Sequence, residues 1–189
     1  MSDYLHPLGN NKISIVKFFA KALSSVSLFF LSFLFKIDKN KNEIIISSAF
    51  YAPWKDDMNF YNFYHAIKDC TLLDNKRLYT LWFFSKSLNN LKSNILDIGC
   101  LKGGAGYAMA KANKKGTTYL IDTFKGLVEN ENYHKKDHFV FQDINFVKNK
   151  IKSLKLKNTR VIKANFPKNI GKSFKRKRFK LCHVDVNTY

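Results

Sequence analysis

A short apolar strand, a glycine-rich loop and a helix follow one another near the middle of the chain, and this unit constrains the fold more than any other feature. The strand is predicted over residues 94–98, Gly99, Gly103 and Gly104 form the loop, and the helix continues through Ala112. Glycine permits a sharp turn and a close ligand approach, and the N-terminus of a helix favours a negative group. The unit therefore predicts a binding loop at the carboxyl end of a strand.

The next predicted strand ends in a carboxylate at a spacing that suits a nucleoside. Residues 117–121 (TTYLI) run directly into Asp122, 23 residues after Gly99. A carboxylate at this place can bind ribose hydroxyls. The glycine pattern is not GxGxxG, which argues against a standard dinucleotide site, and its wider spacing suits the amino-acid end of S-adenosylmethionine. A tight turn without a ligand is the alternative interpretation of the glycines alone.

Strands alternate with helices through the rest of the chain. A Lys-rich helix is predicted near 144–156, a third strand at 160–164 and a fourth at 179–186, whereas residues 48–91 have a helical pattern. This alternation is typical of βαβ units and predicts an α/β fold with a parallel sheet and N-terminal helices. Two local signals mark helix ends: Asp74 is expected to cap the helix that follows it, and Gly116 to close the helix after the glycine loop.

The first 42 residues are predicted to form a separate leader, with residues 43–189 as the main domain. Residues 13–35 are strongly apolar, and residues 36–42 form a charged linker. The uncharged run from Ala22 to Phe35 would extend about 21 Å as a helix, short of a hydrocarbon core of about 30 Å. An interfacial anchor or a buried packing helix is favoured over a membrane span, and no cleavage pattern indicates a signal peptide. The expected location is the cytoplasm, with membrane association through residues 13–35.

The net charge of +19 comes from 33 Lys and Arg residues against 14 Asp and Glu. Of the 33 basic residues 29 are Lys, which favours a solvated surface over a nucleic-acid site, because readers of nucleic acid usually use Arg. The alternative is a polyanion-binding module, for RNA or an anionic membrane, built on the basic cluster at 172–180. The three cysteines lack paired spacing and fit a reducing cytoplasm, with Cys100 and Cys182 expected to be buried.

The chain from Ala52 onward resembles the macrocin O-methyltransferase (TylF) family of class I S-adenosylmethionine-dependent methyltransferases. The motifs that carry this resemblance occur in family order: APW at 52–54, TLLDNKRLYTLW at 71–82, ILDIGCLKGGAG at 95–106, YLIDTFKGL at 119–127, NFP at 165–167 and FKLCHVDVNTY at 179–189. The resemblance implies a Rossmann-like sheet and methyl transfer to a hydroxyl of a sugar, a glycan or another small natural product, assisted by a magnesium-type ion.

The resemblance also implies roles for individual residues. Four residues of the glycine loop would line the methionine end of the cofactor: Asp97, Gly99, Gly103 and Gly104. Asp122 would bind the ribose with Thr123 and Phe124 beside it, and Asn165 and Phe166 would flank the adenine. Asp185 would be a metal ligand and the general base, and Asn187 a second metal ligand.

The sequence departs from the family pattern at three places. Asn187 stands where the family usually has a second Asp, and the loop at 129–138 offers only Tyr133, Asp137 and His138 as substrate contacts. The sequence also stops after the fourth of an expected seven strands. We therefore expect a truncated sheet whose fourth strand lies at an exposed edge, which a homo-oligomer would cover. An inactive remnant that retains cofactor binding is the alternative to an active enzyme.

Overall fold

The computed structural model describes residues 10–36, 38, 43–44, 52–126, 140–141 and 143–186, with side chains from Ile15 onward. The contacts within the chain divide it into two units, residues 1–52 and 53–189. The predicted substrate contacts at 129–138 and the predicted metal ligand Asn187 lie outside the described residues.

The first unit contains one long helix, α1 (Asn10–Phe35). Its segment Ile15–Phe35 is long and apolar enough to cross a membrane, a test that a signal sequence near the N-terminus also passes. The apolar side chains of this segment are exposed on every side of the helix, as at Phe29, Phe30 and Phe33.

The second unit begins with three helices, α2 (Pro53–Asp56), α3 (Met58–Ile67) and α4 (Asn75–Ser87), joined by a 3₁₀ turn at Lys68–Cys70. Asp74 accepts hydrogen bonds from the backbone N–H groups of Lys76 and Arg77, which confirms the predicted cap. Asp57 caps α3 in the same way through Phe60 N.

Four parallel strands follow, in the spatial order β3-β2-β1-β4. They are β1 (Asn94–Ile98), β2 (Thr118–Asp122), β3 (Thr159–Lys163) and β4 (Phe179–Val184). The connections contain α5 (Gly104–Ala112), α6 (Ile144–Ser153) and α7 (Gly171–Phe174). The predicted α/β class with a parallel sheet is thus confirmed, and the strand order is compatible with a Rossmann-like fold.

Helices cover both faces of the sheet, because alternate residues of each strand point to opposite sides. One core packs α3, α4, α5 and α6 against residues such as Ile95 and Leu120. The other core packs Phe174 of α7 against Leu96 and Ile121. The connection from β3 to β4 therefore lies on the face opposite the first two connections. This reversal places β1 and β4 at a switch point of the sheet.

Two local predictions are wrong. The helix α5 ends at Ala112, and Gly116 lies beyond it with φ +96°, where a Cβ atom would collide with the carbonyl of Ser93. Gly116 is thus required by the turn into β2. Cys182 is exposed, since β4 is an edge strand of the described sheet, whereas Cys100 is buried as predicted.

Candidate functional site

A cavity of about 330 Å³ opens at the carboxyl ends of the strands in the second unit. The glycine loop after β1 forms one wall, and the ends of β2, β3 and β4 contribute Asp122, Asn165 and Asp185. The segment before α4 adds Thr71 and Leu72. Open parallel sheets bind ligands outside the carboxyl ends of their strands where the connections reverse, which is the position of this cavity.

The glycine loop is held in place by protein contacts. Gly99 has φ +83°, and a Cβ atom there would collide with the carbonyl oxygen of Asp185 after β4. A Cβ atom on Gly104 would lie 2.6 Å from the carbonyl oxygen of Cys70. These glycines let β4 and the segment before α4 approach the loop, so close packing of the cavity walls accounts for them.

Asp122 fixes two loops through its two carboxylate oxygens. Its Oδ2 accepts a hydrogen bond from the backbone N–H of Leu101 at 2.8 Å, and its Oδ1 accepts one from the N–H of Phe124 at 2.7 Å. Both donors have left-handed backbones, with φ +49° at Leu101 and +54° at Phe124. That conformation is unfavourable for residues other than glycine. The carboxylate therefore stabilises the strained turns on either side of the cavity.

A buried carboxylate and a histidine meet between β1 and β4. Asp97 and His183 are register partners, and Asp97 Oδ1 lies 2.8 Å from His183 Nδ1. Asp97 is fully buried, and its Oδ2 has no hydrogen-bond partner among the described residues. Burial raises the pKa of the Asp97 carboxyl, although the His183 hydrogen bond opposes that change. The same hydrogen bond raises the pKa of His183.

His183 is the site residue that the sequence analysis missed. Its ring lines the cavity, and its Nε2 has no hydrogen-bond partner within the described part of the chain. Hydrogen bonding through Nδ1 fixes the orientation of the ring, as a carboxylate does for many functional histidines. A histidine in the otherwise apolar run LCHV at 181–184 was the available signal. Its meaning depended on its neighbour in β1, which the sequence alone did not identify.

The structure brings most of the predicted site residues together. The residues that line the cavity are Gly99, Gly104, Asp122, Thr123, Asn165, Phe166 and Asp185. Three other predicted site residues are not among those that line the cavity. Asp97 is buried beneath His183, Gly103 precedes α5 with φ +91°, and the side chain of Phe124 is packed in the core.

The described residues provide few ligands for a metal ion. Asp185 is exposed at the cavity, and no group of three His, Cys, Asp or Glu side chains suitable for a metal occurs in the described ranges. Asn187 lies outside those ranges. Magnesium can be held by one or two carboxylates with substrate oxygens, but the described donors do not build a site for it. The magnesium ion stays a prediction.

Comparison with known proteins does not assign the chain to a family. No family model matches it, and no curated protein matches it significantly. The case for a function therefore rests on the cavity and on the residues that line it.

Proposed function

We propose that the second unit binds S-adenosylmethionine and transfers its methyl group to a hydroxyl of a sugar, a glycan or another small natural product. One observation carries this proposal: the glycine loop and the Asp122 carboxylate line the same cavity at the switch point of a parallel sheet. A nucleoside-containing ligand is the usual occupant of such a position.

The nucleoside end of the ligand fits the chemistry of one wall. Each Asp122 oxygen accepts one backbone hydrogen bond, and a carboxylate oxygen can accept another from a ribose hydroxyl. Ile121, Ala164 and Phe166 provide apolar and aromatic surface next to it, and Asn165 provides amide donors and an acceptor. This combination suits a flat purine base attached to a ribose.

The opposite wall has the groups that a methyl transfer needs. S-adenosylmethionine, when bound, supplies an electrophilic methyl group on its sulfonium sulfur. The protein has to align the acceptor oxygen and accept its proton. Asp185 and His183 both line the cavity near the end of β4. The Asp185 carboxylate is the proposed base, and His183, held by Asp97, is the second group that can hold a proton there.

Calorimetric titration of the full chain tests the binding step. We expect S-adenosylmethionine and S-adenosylhomocysteine to bind, and NAD⁺ to bind at least tenfold more weakly, because the loop lacks the GxGxxG pattern. Asp122→Asn should weaken both favoured ligands. Binding of NAD⁺ but not of S-adenosylmethionine would contradict the proposal.

A second measurement distinguishes an active enzyme from a remnant that only binds the cofactor. The full chain is incubated with S-adenosylmethionine and a panel of monosaccharides and phenols, and the release of S-adenosylhomocysteine is followed. Acceptor-dependent release that Asp185→Asn reduces by tenfold or more is the expected result. Tight binding without release would leave cofactor binding as the function of this chain.

A further inference from the structure

The end of the sheet opposite the cavity carries a concentrated positive charge. Four loops precede the four strands there, at residues 91–93, 113–117, 154–158 and 175–178. Together they contain nine Lys and Arg residues and no Asp or Glu. Strands in a sheet lie about 4.8 Å apart, so four loops span roughly 15 Å along the sheet edge. We call these four loops the basic end.

Each loop contributes to this charge. Lys92 precedes β1, Lys114 and Lys115 precede β2, and Lys155 and Lys157 precede β3, all with exposed side chains. The loop before β4 is basic at all four positions, 175–178, and is exposed throughout. In the sequence, only the loop at 175–178 stands out as a basic cluster. The other three loops come to lie beside it because the strands are parallel.

The loops of the basic end are fixed to one another by hydrogen bonds. Asn94 donates its Nδ2 to the carbonyl of Arg178 at 3.0 Å and accepts at Oδ1 from Thr117 N at 3.0 Å. Lys180 donates its Nζ to the carbonyls of Leu91 at 3.3 Å and Lys115 at 3.1 Å. Asn158 of the loop before β3 donates its Nδ2 to the carbonyl of Asn113 at 2.9 Å, so all four loops are joined. The basic side chains extend from a connected base, which limits the entropy lost when they bind a partner.

The acidic residues of the sheet lie at its other end. Asp97, Asp122 and Asp185 are at or just beyond the carboxyl ends of β1, β2 and β4. The fold thereby separates the two signs of charge along the strand direction. A negatively charged surface would be attracted to the basic end while the cavity faces away from it.

The composition of the basic end favours lipid headgroups over nucleic acid. None of its four loops contains an aromatic residue on which bases could stack, and seven of its nine cations are Lys. Lys acts as a point charge and lacks the bidentate geometry with which Arg reads bases. Clusters of four to eight Lys and Arg are typical of segments that bind anionic lipids.

The same chain carries a second element suited to a membrane. The helix α1 exposes many large apolar side chains, including Phe30, Phe33 and Phe35. Stable attachment of a protein to a bilayer usually needs two signals, such as an apolar insertion and a basic patch. We propose that the basic end binds the anionic headgroups of a lipid bilayer, as the electrostatic partner of an apolar attachment through α1.

Flotation of the full chain with vesicles tests this proposal. The vesicles contain phosphatidylcholine alone or with 30% phosphatidylserine, on the order of the acidic-lipid content that gives a negative surface potential. The test variant changes the loop before β4: Lys175→Gln, Arg176→Gln, Lys177→Gln and Arg178→Gln. The control variant changes four exposed lysines elsewhere and so removes the same charge: Lys125→Gln, Lys148→Gln, Lys163→Gln and Lys168→Gln.

We expect the unmodified chain to prefer the anionic vesicles and to lose that preference as salt increases. The test variant should lose roughly 600-fold in partitioning to them, since each of its four contacts with the surface contributes about a fivefold effect. The control variant should lose less than about fivefold. A second variant on another loop, Lys114→Gln with Lys115→Gln, should lose roughly twentyfold, and thermal unfolding checks that every variant is folded.

Three results would overturn the proposal. Equal losses in the test and control variants would mean that only the net charge matters. An anionic preference that both loop variants retain would assign it to α1 and its flanking lysines. Salt-dependent retention of a homopolymeric RNA on filters that the test variant abolishes, with unchanged vesicle binding, would make nucleic acid the partner.

Discussion

Asp97 and His183 are neighbours across β1 and β4, with the carboxylate Oδ1 2.8 Å from the imidazole Nδ1. The carboxylate is completely buried, whereas the imidazole lines the cavity. His183 is therefore the only described hydrogen-bond partner of the buried Asp97 side chain, and it connects that side chain to the candidate site. The stability of this end of the sheet and the chemistry of the cavity depend on the same pair.

Loss of the histidine should leave an uncompensated charge in the core. We expect His183→Phe to reduce the free energy of unfolding by about 3 kcal/mol at pH 7, because an isolated buried carboxylate costs several kcal/mol. The double variant Asp97→Asn with His183→Phe should be more stable than His183→Phe alone, since no charge is left behind. Urea unfolding of the three proteins measures both effects. A double variant less stable than His183→Phe would contradict this explanation.

The pair should also make stability depend on pH. The pKa of His183 is raised in the folded state, so its contribution is fully present below the ordinary value of 6.5 and is lost as the pH rises through the raised value. The raised pKa of Asp97 likewise makes the free energy of unfolding fall as the pH rises above 3.8, the ordinary value for that carboxyl. We expect the free energy of unfolding to fall as the pH rises above 6.5, the ordinary pKa of histidine, and to fall less steeply in the double variant Asp97→Asn with His183→Phe, which lacks both titrating groups. Parallel pH profiles for the two proteins would count against the pair.

Asp122 should be needed for loop structure even without a ligand. Asp122→Asn replaces one of its two acceptor oxygens by a donor, so the turn at Leu101 or at Phe124 loses its hydrogen bond. We expect a loss of about 1–3 kcal/mol in unfolding free energy and faster hydrogen exchange at those two amides. Asp143→Asn is the matched control, because Asp143 also accepts a backbone hydrogen bond, from Phe146 N, and Asn caps helices equally well. Equal stability of the two variants would remove this structural role.

Gly99 and Gly171 should respond oppositely to the same change. Gly99→Ala adds a Cβ atom to a left-handed residue and drives it into the Asp185 carbonyl. We expect a loss of about 2 kcal/mol or more, together with weaker binding of S-adenosylmethionine. At Gly171 the added Cβ atom would meet only Pro167 Cβ at 3.5 Å, an ordinary contact, so Gly171→Ala should be neutral or slightly stabilising. Thermal unfolding ranks the two, and a neutral Gly99→Ala would be inconsistent with the close approach.

Asp57 should stabilise the N-terminal helices more than Asp74 does. Asp57 accepts hydrogen bonds from Phe60 N, Trp82 Nε1 and Lys86 Nζ. Burial alone would raise the pKa of its carboxyl, but these hydrogen bonds outweigh burial and lower it. We expect Asp57→Ala to cost about 2–3 kcal/mol and Asp74→Ala about 1 kcal/mol, because Asp74 is an exposed cap.

The pH dependence of the Asp57 contribution has the opposite sign from that of His183. A lowered folded pKa means that the contribution is present above the ordinary value of 3.8 and is lost as the pH falls through the folded value. The difference between the unmodified chain and Asp57→Ala should therefore shrink below about pH 4. Chemical unfolding at pH 3 and pH 7 measures it, and a constant difference would contradict the assignment.

The sequence by itself determined the order and type of the elements. Hydrophobic patterning located all four strands to within a few residues of β1–β4, and turn chemistry located the cap at Asp74, because both signals act over a few neighbouring residues. It also placed Gly99, Asp122 and Asp185 at the ends of strands. In a parallel sheet all carboxyl ends lie at one edge, so their convergence on one cavity was predictable.

The tertiary structure decided which side chains meet across strands. The register of β4 against β1 pairs Asp97 with His183, and neither residue carries a local signal for the other, 86 positions away. The reversal of the connection after β3 placed β4 beside β1, at an edge of the described sheet as the sequence analysis expected, and Cys182 is exposed there, which its apolar neighbours did not reveal. Likewise, the parallel sheet brings four loops that are distant in sequence together as the basic end. The electrostatic potential there depends on the distances between charges in space and not on their separation along the chain.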